Sequence, residues 1–195
     1  MSAEAGARPG RKALLVVDVQ RDFCEGGSLA VAGGLAVAAA VKELLASDHG
    51  YAVVVATRDH HVDPGGHFSP TPDFVDSWPA HCVAGTGGAQ LSDPLVVDDF
   101  DAVFDKGEYA AAYSGFEGRD AHGTSLAAWL RAHDVDGVDV CGIATDYCVR
   151  MTALDAAREG FSPTVLTGLT AAVAPERVGE TFDAWRAGGV ATRES

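Results

Sequence analysis

The sequence is poor in positive charge and has no long apolar run. Only 14 Lys and Arg side chains stand against 28 Asp and Glu, a formal net charge of −14. Such a balance repels phosphate backbones and anionic lipid headgroups, so neither nucleic acid nor a membrane surface is an expected partner. No segment reaches the roughly 18 consecutive apolar residues of a membrane span, and the opening Met1–Gly10 lacks the apolar stretch of a signal peptide. The expected compartment is therefore the cytoplasm. Internal repeats and linker-like composition are also missing. For 195 residues, 47% of them hydrophobic, that leaves one domain over residues 12–195, with residues 1–11 read as a disordered extension. Cysteine is scarce too. Four cysteines in a chain with this much core and no export signal are expected to stay reduced, so each is a thiol, a ligand or packing.

What is present is an alternation of short apolar runs with longer amphipathic stretches: Ala13–Val17, Leu35–His49, Tyr51–Thr57, Ala102–Asp105, Thr124–His133, Gly137–Gly142, Cys148–Glu159, Pro163–Thr167, Pro175–Ala187 and Val190–Thr192. Runs such as Ala13–Val17 are apolar at every position, as parallel strands covered on both faces are. The pattern predicts a three-layer α/β/α domain, Rossmann-like, with a mostly parallel sheet of about six strands. Ligands of such sheets bind beyond the carboxyl ends of the strands. Residues 58–101 break the alternation, and a loop that long inside a domain is usually functional.

Asp18, Lys106 and Cys148 lie at or just past strand ends. Brought together, they form a nucleophilic site in which Asp18 takes the thiol proton, Lys106 holds charge in place and Cys148 attacks. Cys148 opens a helix behind Thr145 and Asp146 as candidate N-caps, where the dipole favours thiolate and nearby amides suit an oxyanion. Taken singly, each has an ordinary explanation: a charged residue at a strand end is often a solvated loop residue, and a cysteine is often packing. A second group is Asp59, His61, His67 and His81. Asp59 and His61 project to one side of an extended segment, and the Gly65–Gly66 turn lets His67 fold back. One carboxylate and three neutral imidazoles suit a first-row divalent ion, the competing reading being a polar loop with unrelated histidines. His60 is expected to point away and be exposed, and His49, His122 and His133 to have no special role. Cys141 reads as core. Cys24 and Cys82 fall in loops beside the site, with Cys82 a conceivable fifth ligand.

Several segments together resemble one family: Val17–Leu29, Asp59–Phe68, Ser77–Cys82, Lys106–Gly107 and Gly142–Val149 are similar to nicotinamidases, members of the isochorismatase-like cysteine hydrolases. The resemblance runs from about Lys12 to the last strand. It implies hydrolysis of nicotinamide to nicotinate and ammonia, and of pyrazinamide to pyrazinoate, through a cysteine thioester. Carried over by position, it implies catalytic Asp18, Lys106 and Cys148, and one divalent metal ion (Zn, Fe or Mn) on Asp59, His61, His67 and His81 that binds the pyridine nitrogen. It further implies an oxyanion hole from the amides of Ala144 and Cys148 beside a cis Ile143–Ala144 peptide, and a ring pocket of Phe23, Trp78, Tyr113 and Ile143. Tyr147 stands where the family often has histidine, and tyrosine also occurs there. A sister activity, vinyl-ether hydrolysis, does not use the cysteine, and N-carbamoyl amidohydrolases lack the full metal set. A silent metal-binding or interaction module is the reading from another class, since fold does not imply function. The expected partner is a small molecule, and the protein a monomer or homo-oligomer.

Overall fold

The structure is a computed structural model describing residues 10–194. Most of the extension read over residues 1–11 lies outside the described residues, and Arg11 already belongs to the first strand. The strands are β1 (Arg11–Val17), β2 (Val53–Asp59), β3 (Ala102–Lys106), β4 (Val135–Ile143), β5 (Ser162–Ala171) and β6 (Ala191–Arg193). The helices are α1 (Gly34–Leu45), α2 (Leu126–Ala132), α3 (Cys148–Arg158) and α4 (Val178–Ala187). They form one six-stranded sheet in the order β3-β2-β1-β4-β5-β6, and every pairing is parallel.

The unbroken apolar runs have the predicted cause, because successive residues of β1 enter opposite layers. Leu14 and Val16 pack with Val54, Ala56, Cys141 and Leu166 against Val37, Ala38 and Val41 of α1. Ala13, Leu15 and Val17 pack with Val55, Val138 and Val140 against Leu126 and Leu130 of α2, Val149 and Ala153 of α3, and Trp185 of α4. The chain builds outward from β1 to β3, then returns to the centre and builds the other way from β4 to β6. The reversal lies between β1 and β4, which is where the fold opens a crevice beyond the strand ends.

Three elements end elsewhere than their patterns suggest. Helix α1 stops at Leu45, short of His49: the Ser47 hydroxyl turns back to Leu44 O at 2.7 Å, and Gly50 at φ +70° sends the chain into β2. Strand β5 runs to Ala171, past Thr167, because its register against β4 slips: Val140 pairs with Val165 but Gly142 pairs with Thr170. Helix α4 begins at Val178, with Pro175–Arg177 forming a separate 3-10 turn. Between Asp59 and Ala102 the regular elements are short 3-10 turns at Gly65–His67 and Val97–Asp99, as expected of a segment given over to side-chain placement.

Candidate active site

Asp18 after β1, Lys106 at the end of β3 and Cys148 beyond β4 bring their side chains together past the carboxyl ends of the strands. Asp18 follows β1 directly with φ +50°, in the left-handed region. Its side chain is fully buried, accepts the Thr57 hydroxyl at 2.6 Å and pairs with Lys106 Nζ at 2.9 Å. Lys106 closes β3, and its buried ammonium also bonds Asp59 Oδ1, donates to Ala112 O at 3.2 Å and lies 3.9 Å from Cys148 Sγ. Cys148 is the first residue of α3 and is buried. Removing an ammonium from water is costly unless its charge and donors are met, and here the Asp59 carboxylate and a carbonyl accept its protons while Asp18 pairs with its charge.

The electrostatics differ from the sequence expectation of a thiolate favoured at a helix start. Burial raises the Asp18 carboxyl above its ordinary value, and the neighbouring Asp59 adds to this; Lys106 opposes both without prevailing. Burial likewise pushes the Cys148 thiol well above its usual value, outweighing Lys106, with both carboxylates adding to the rise. The resting site therefore holds a thiol beside a strengthened base, not a thiolate drawn out by a helix dipole. For Asp59 burial would also raise the carboxyl, but Lys106 and His61 together hold it well below the usual range. Lys106 stays protonated: burial works against the charge, and Asp18 and Asp59 overcome it.

The turn before α3 is built around a cis Ile143–Ala144 peptide. Thr145 N donates to Ala171 O, and Tyr147 N and Val149 N both donate to Ala144 O. The amides of Ala144 and Cys148 take no acceptor among the described residues, leaving two donors beside the sulfur. Neither expected N-cap serves as one. Tyr147 occupies the N-cap position without a side-chain bond, and Asp146 instead accepts Val173 N and Ala174 N at 2.9 and 2.8 Å, tying the segment after β5 to this turn.

The predicted histidines also converge. His61, His67 and His81 place ring nitrogens within 4.8 Å of one another, all three buried. His61 Nδ1 lies 2.6 Å from Gly107 O and His81 Nδ1 2.8 Å from Pro79 O, so each carbonyl takes the Nδ1 proton and leaves Nε2 with its lone pair free. Those Nε2 atoms stand 3.6 and 3.8 Å from Asp59 Oδ2. Burial, reinforced by its histidine neighbours, lowers His67 to about 4, and burial also lowers His81; both are neutral at neutral pH. His61 Nε2 is buried with no hydrogen-bond partner, an arrangement that costs free energy unless a cation fills it. The donor set fits a divalent metal ion. Gly107 permits it: at φ +77° a Cβ there would lie 2.7 Å from His61 Cε1. Cys82 belongs to neither cluster and is no fifth ligand; its amide donates to Asp22 and its thiol is raised by burial. His60 faces away as expected, but it is half-buried against Glu108 rather than exposed.

Beside these clusters lies a cavity of about 410 Å³, counting the space at its mouth, lined by Phe23, Trp78, Tyr113 and Ile143 as expected, together with Cys148, Ala144, Asp59, His67 and His81. Leu29, Val31 and Val173 line it too and were not singled out from sequence, and Tyr147, noted there for its place before the cysteine, also forms part of the wall. Sequence reasoning also missed Gln20, which is fully buried. Its side chain accepts Asp59 N at 2.8 Å and donates to Asp59 O at 2.8 Å and Ala89 O at 2.9 Å, clamping the peptide of the carboxylate that both clusters share. A polar residue two positions beyond Asp18 was the available signal.

Comparison with known proteins agrees with this geometry. The isochorismatase domain model matches residues 12–194. The nicotinamidase/pyrazinamidase of Mycobacterium tuberculosis is 54% identical over 179 residues, covering 92% of this chain and 96% of that protein. Among solved structures, PnC1 from L. infantum in complex with nicotinate superposes with a TM-score of 0.83 at 34% identity, over 95% of this chain and 93% of the other. The pyrazinamidase of Pyrococcus horikoshii in complex with zinc gives a TM-score of 0.81 at 36% identity, over 95% and 99%.

Proposed function

The chain belongs to the isochorismatase family, and on that footing we propose that it is a nicotinamidase, hydrolysing nicotinamide to nicotinate and ammonia and pyrazinamide to pyrazinoate. The observation that carries the assignment is an aromatic-lined cavity whose wall holds the Cys148 thiol together with His67 and His81, with the buried Lys106 ammonium 3.9 Å from that sulfur and the Asp18 carboxylate packed beside it. Relatives that bind nicotinate or zinc support that reading of the cavity. Asp59, His61, His67 and His81 would hold one divalent ion, zinc, iron or manganese. When bound, such an ion supplies a Lewis acid for a pyridine or pyrazine nitrogen.

The chain's own residues account for the bond changes. Asp18 accepts the Cys148 proton as sulfur adds to the carboxamide carbon. The raised base and raised thiol suit a transfer that happens with substrate in place rather than before it. The developing oxyanion rests on the amides of Ala144 and Cys148, each such donor being worth about 10²–10³-fold. Lys106 keeps Asp18 aimed at the sulfur and offsets negative charge around it. Asp18 then returns the proton to nitrogen as the C–N bond breaks and ammonia leaves. In the second half Asp18 takes a proton from water as the water oxygen adds to the thioester carbon; the C–S bond then breaks, Asp18 returns its proton to the Cys148 sulfur, and the acid formed ionises to the carboxylate with release of one proton to solvent. Phe23, Trp78, Tyr113 and Ile143 form the walls for a flat ring. Measuring ammonia released from nicotinamide, pyrazinamide and benzamide tests the assignment. The first two are expected to turn over and benzamide, with no ring nitrogen, to turn over poorly; silence on nicotinamide would overturn it.

A further inference from the structure

Tyr147 sits immediately before the nucleophile, and its ring spans the wall of the cavity from inside to outside. One edge lines the cavity with Cys148, standing edge-to-face with Trp78 at 5.2 Å and tilted against Tyr113 at 5.9 Å. The hydroxyl emerges among exposed groups. Arg177 Nη1 donates to it at 3.2 Å, it donates in turn to Phe74 O at 3.4 Å, and the guanidinium carbon lies 5.7 Å from the ring centroid. Arg177 comes from the turn before α4 and Phe74 from the long irregular segment, so three separate stretches of chain meet on one phenol oxygen. The Phe74 carbonyl is itself held in place, since the Asp73 carboxylate accepts the amides of Val75, Asp76 and Ser77 at 2.9–3.0 Å.

We propose that Tyr147 is a specificity-determining residue and Arg177 its positioning residue: pinned at the hydroxyl, the ring forms an outer wall that limits which substituted heteroaromatic amides reach Cys148. The inference rests on the nicotinamidase reading and adds to it a boundary on substrate shape. Phe23, Trp78 and Tyr113 line the same cavity. The Tyr147 wall differs in being held from outside by a half-exposed cation. A ring held by one charge-assisted bond and one long neutral bond can swing outward once they are removed, at little cost to the rest of the fold.

The test compares kcat and KM of the wild type, Arg177→Ala, Arg177→Lys and Tyr147→Phe on nicotinamide and on 4-methyl- and 5-methylnicotinamide. Arg177→Ala is expected to keep kcat/KM for nicotinamide within about threefold, and both Arg177→Ala and Tyr147→Phe to raise the ratio of kcat/KM for at least one methylated amide to that for nicotinamide by about tenfold, the size of one lost hydrogen bond, mainly through KM. Combining the two should add little, because both release the same ring. Arg177→Lys, which keeps a cation near the hydroxyl, should fall between wild type and Arg177→Ala. Equal losses on all three amides through kcat, or a methyl-to-nicotinamide ratio unmoved within about twofold in both variants, would overturn the proposal. Wild-type protein inactive on nicotinamide would instead overturn the assigned activity on which it rests.

Discussion

Cys148 keeps its proton in the resting site because burial, aided by two carboxylates, outweighs an ammonium 3.9 Å away. In the proposed mechanism activity therefore depends on Asp18 being ionised, and burial raises that carboxyl above its ordinary value. The sign follows: kcat/KM falls as pH drops through the raised value, since protonated Asp18 cannot accept the thiol proton. Lys106 holds that value down, so a pH–rate profile of Lys106→Met should show its acid limb moved to higher pH, on top of a large loss of rate. Asp18→Asn should lose about 10²–10⁴-fold and show no such limb. An acid limb unmoved in Lys106→Met would remove Lys106 from the base's environment. The histidines separate equally cleanly. His61 converges with His67 and His81, whereas His60 stands apart from them and faces Glu108. Elemental analysis should find metal depleted in His61→Ala and retained in His60→Ala, with ammonia release following the metal; depletion in both or neither would contradict the ligand assignment.

At the scale of elements, the turn that joins β4 to α3 carries the most constraint. Gly142 has φ +115°, and a Cβ there would lie 2.1 Å from Val17 O, a backbone atom that cannot move aside. Gly142→Ala combines that clash with a backbone state costing about 1–3 kcal/mol, which in a domain of this size lowers Tm by several degrees or more. Thermal unfolding with activity measured alongside checks this, and an unchanged Tm would mean that β1 and β4 are less rigidly registered than the structure shows. Most of this layer was legible in sequence. Five-residue apolar runs are long enough to announce strands buried on both faces, and Asp18, Lys106 and Cys148 stood out as polar ends to apolar stretches. What escaped depended on tertiary partners. The β5 register slip has no local signature, the Asp146 carboxylate serves the chain after β5 instead of capping α3, and Gln20 is informative only once Asp59 lies against it. The direction of the Cys148 shift escaped for the same reason, because burial is a property of the assembled site.

Across the whole molecule, the sheet's reversal between β1 and β4 brings two groups of side chains, distant in sequence, to one cavity, and Asp59 joins them. One of its oxygens bonds Lys106 and the other faces the imidazoles of His61 and His81. Holding the ring and cutting the amide are thus linked through a single carboxylate that Gln20 fixes from behind. The net charge of −14 does nothing to draw in a neutral amide, but it repels an anionic product. The central claim is that amide cleavage passes through a thioester on Cys148. Acid-quenching the enzyme during turnover of nicotinamide and mapping the adduct by mass spectrometry tests it most directly. A nicotinoyl group on the peptide containing Cys148, absent from Cys148→Ala together with ammonia release, is the expected result; ammonia release persisting in Cys148→Ala, or an adduct on Cys24 or Cys82 instead, would contradict it.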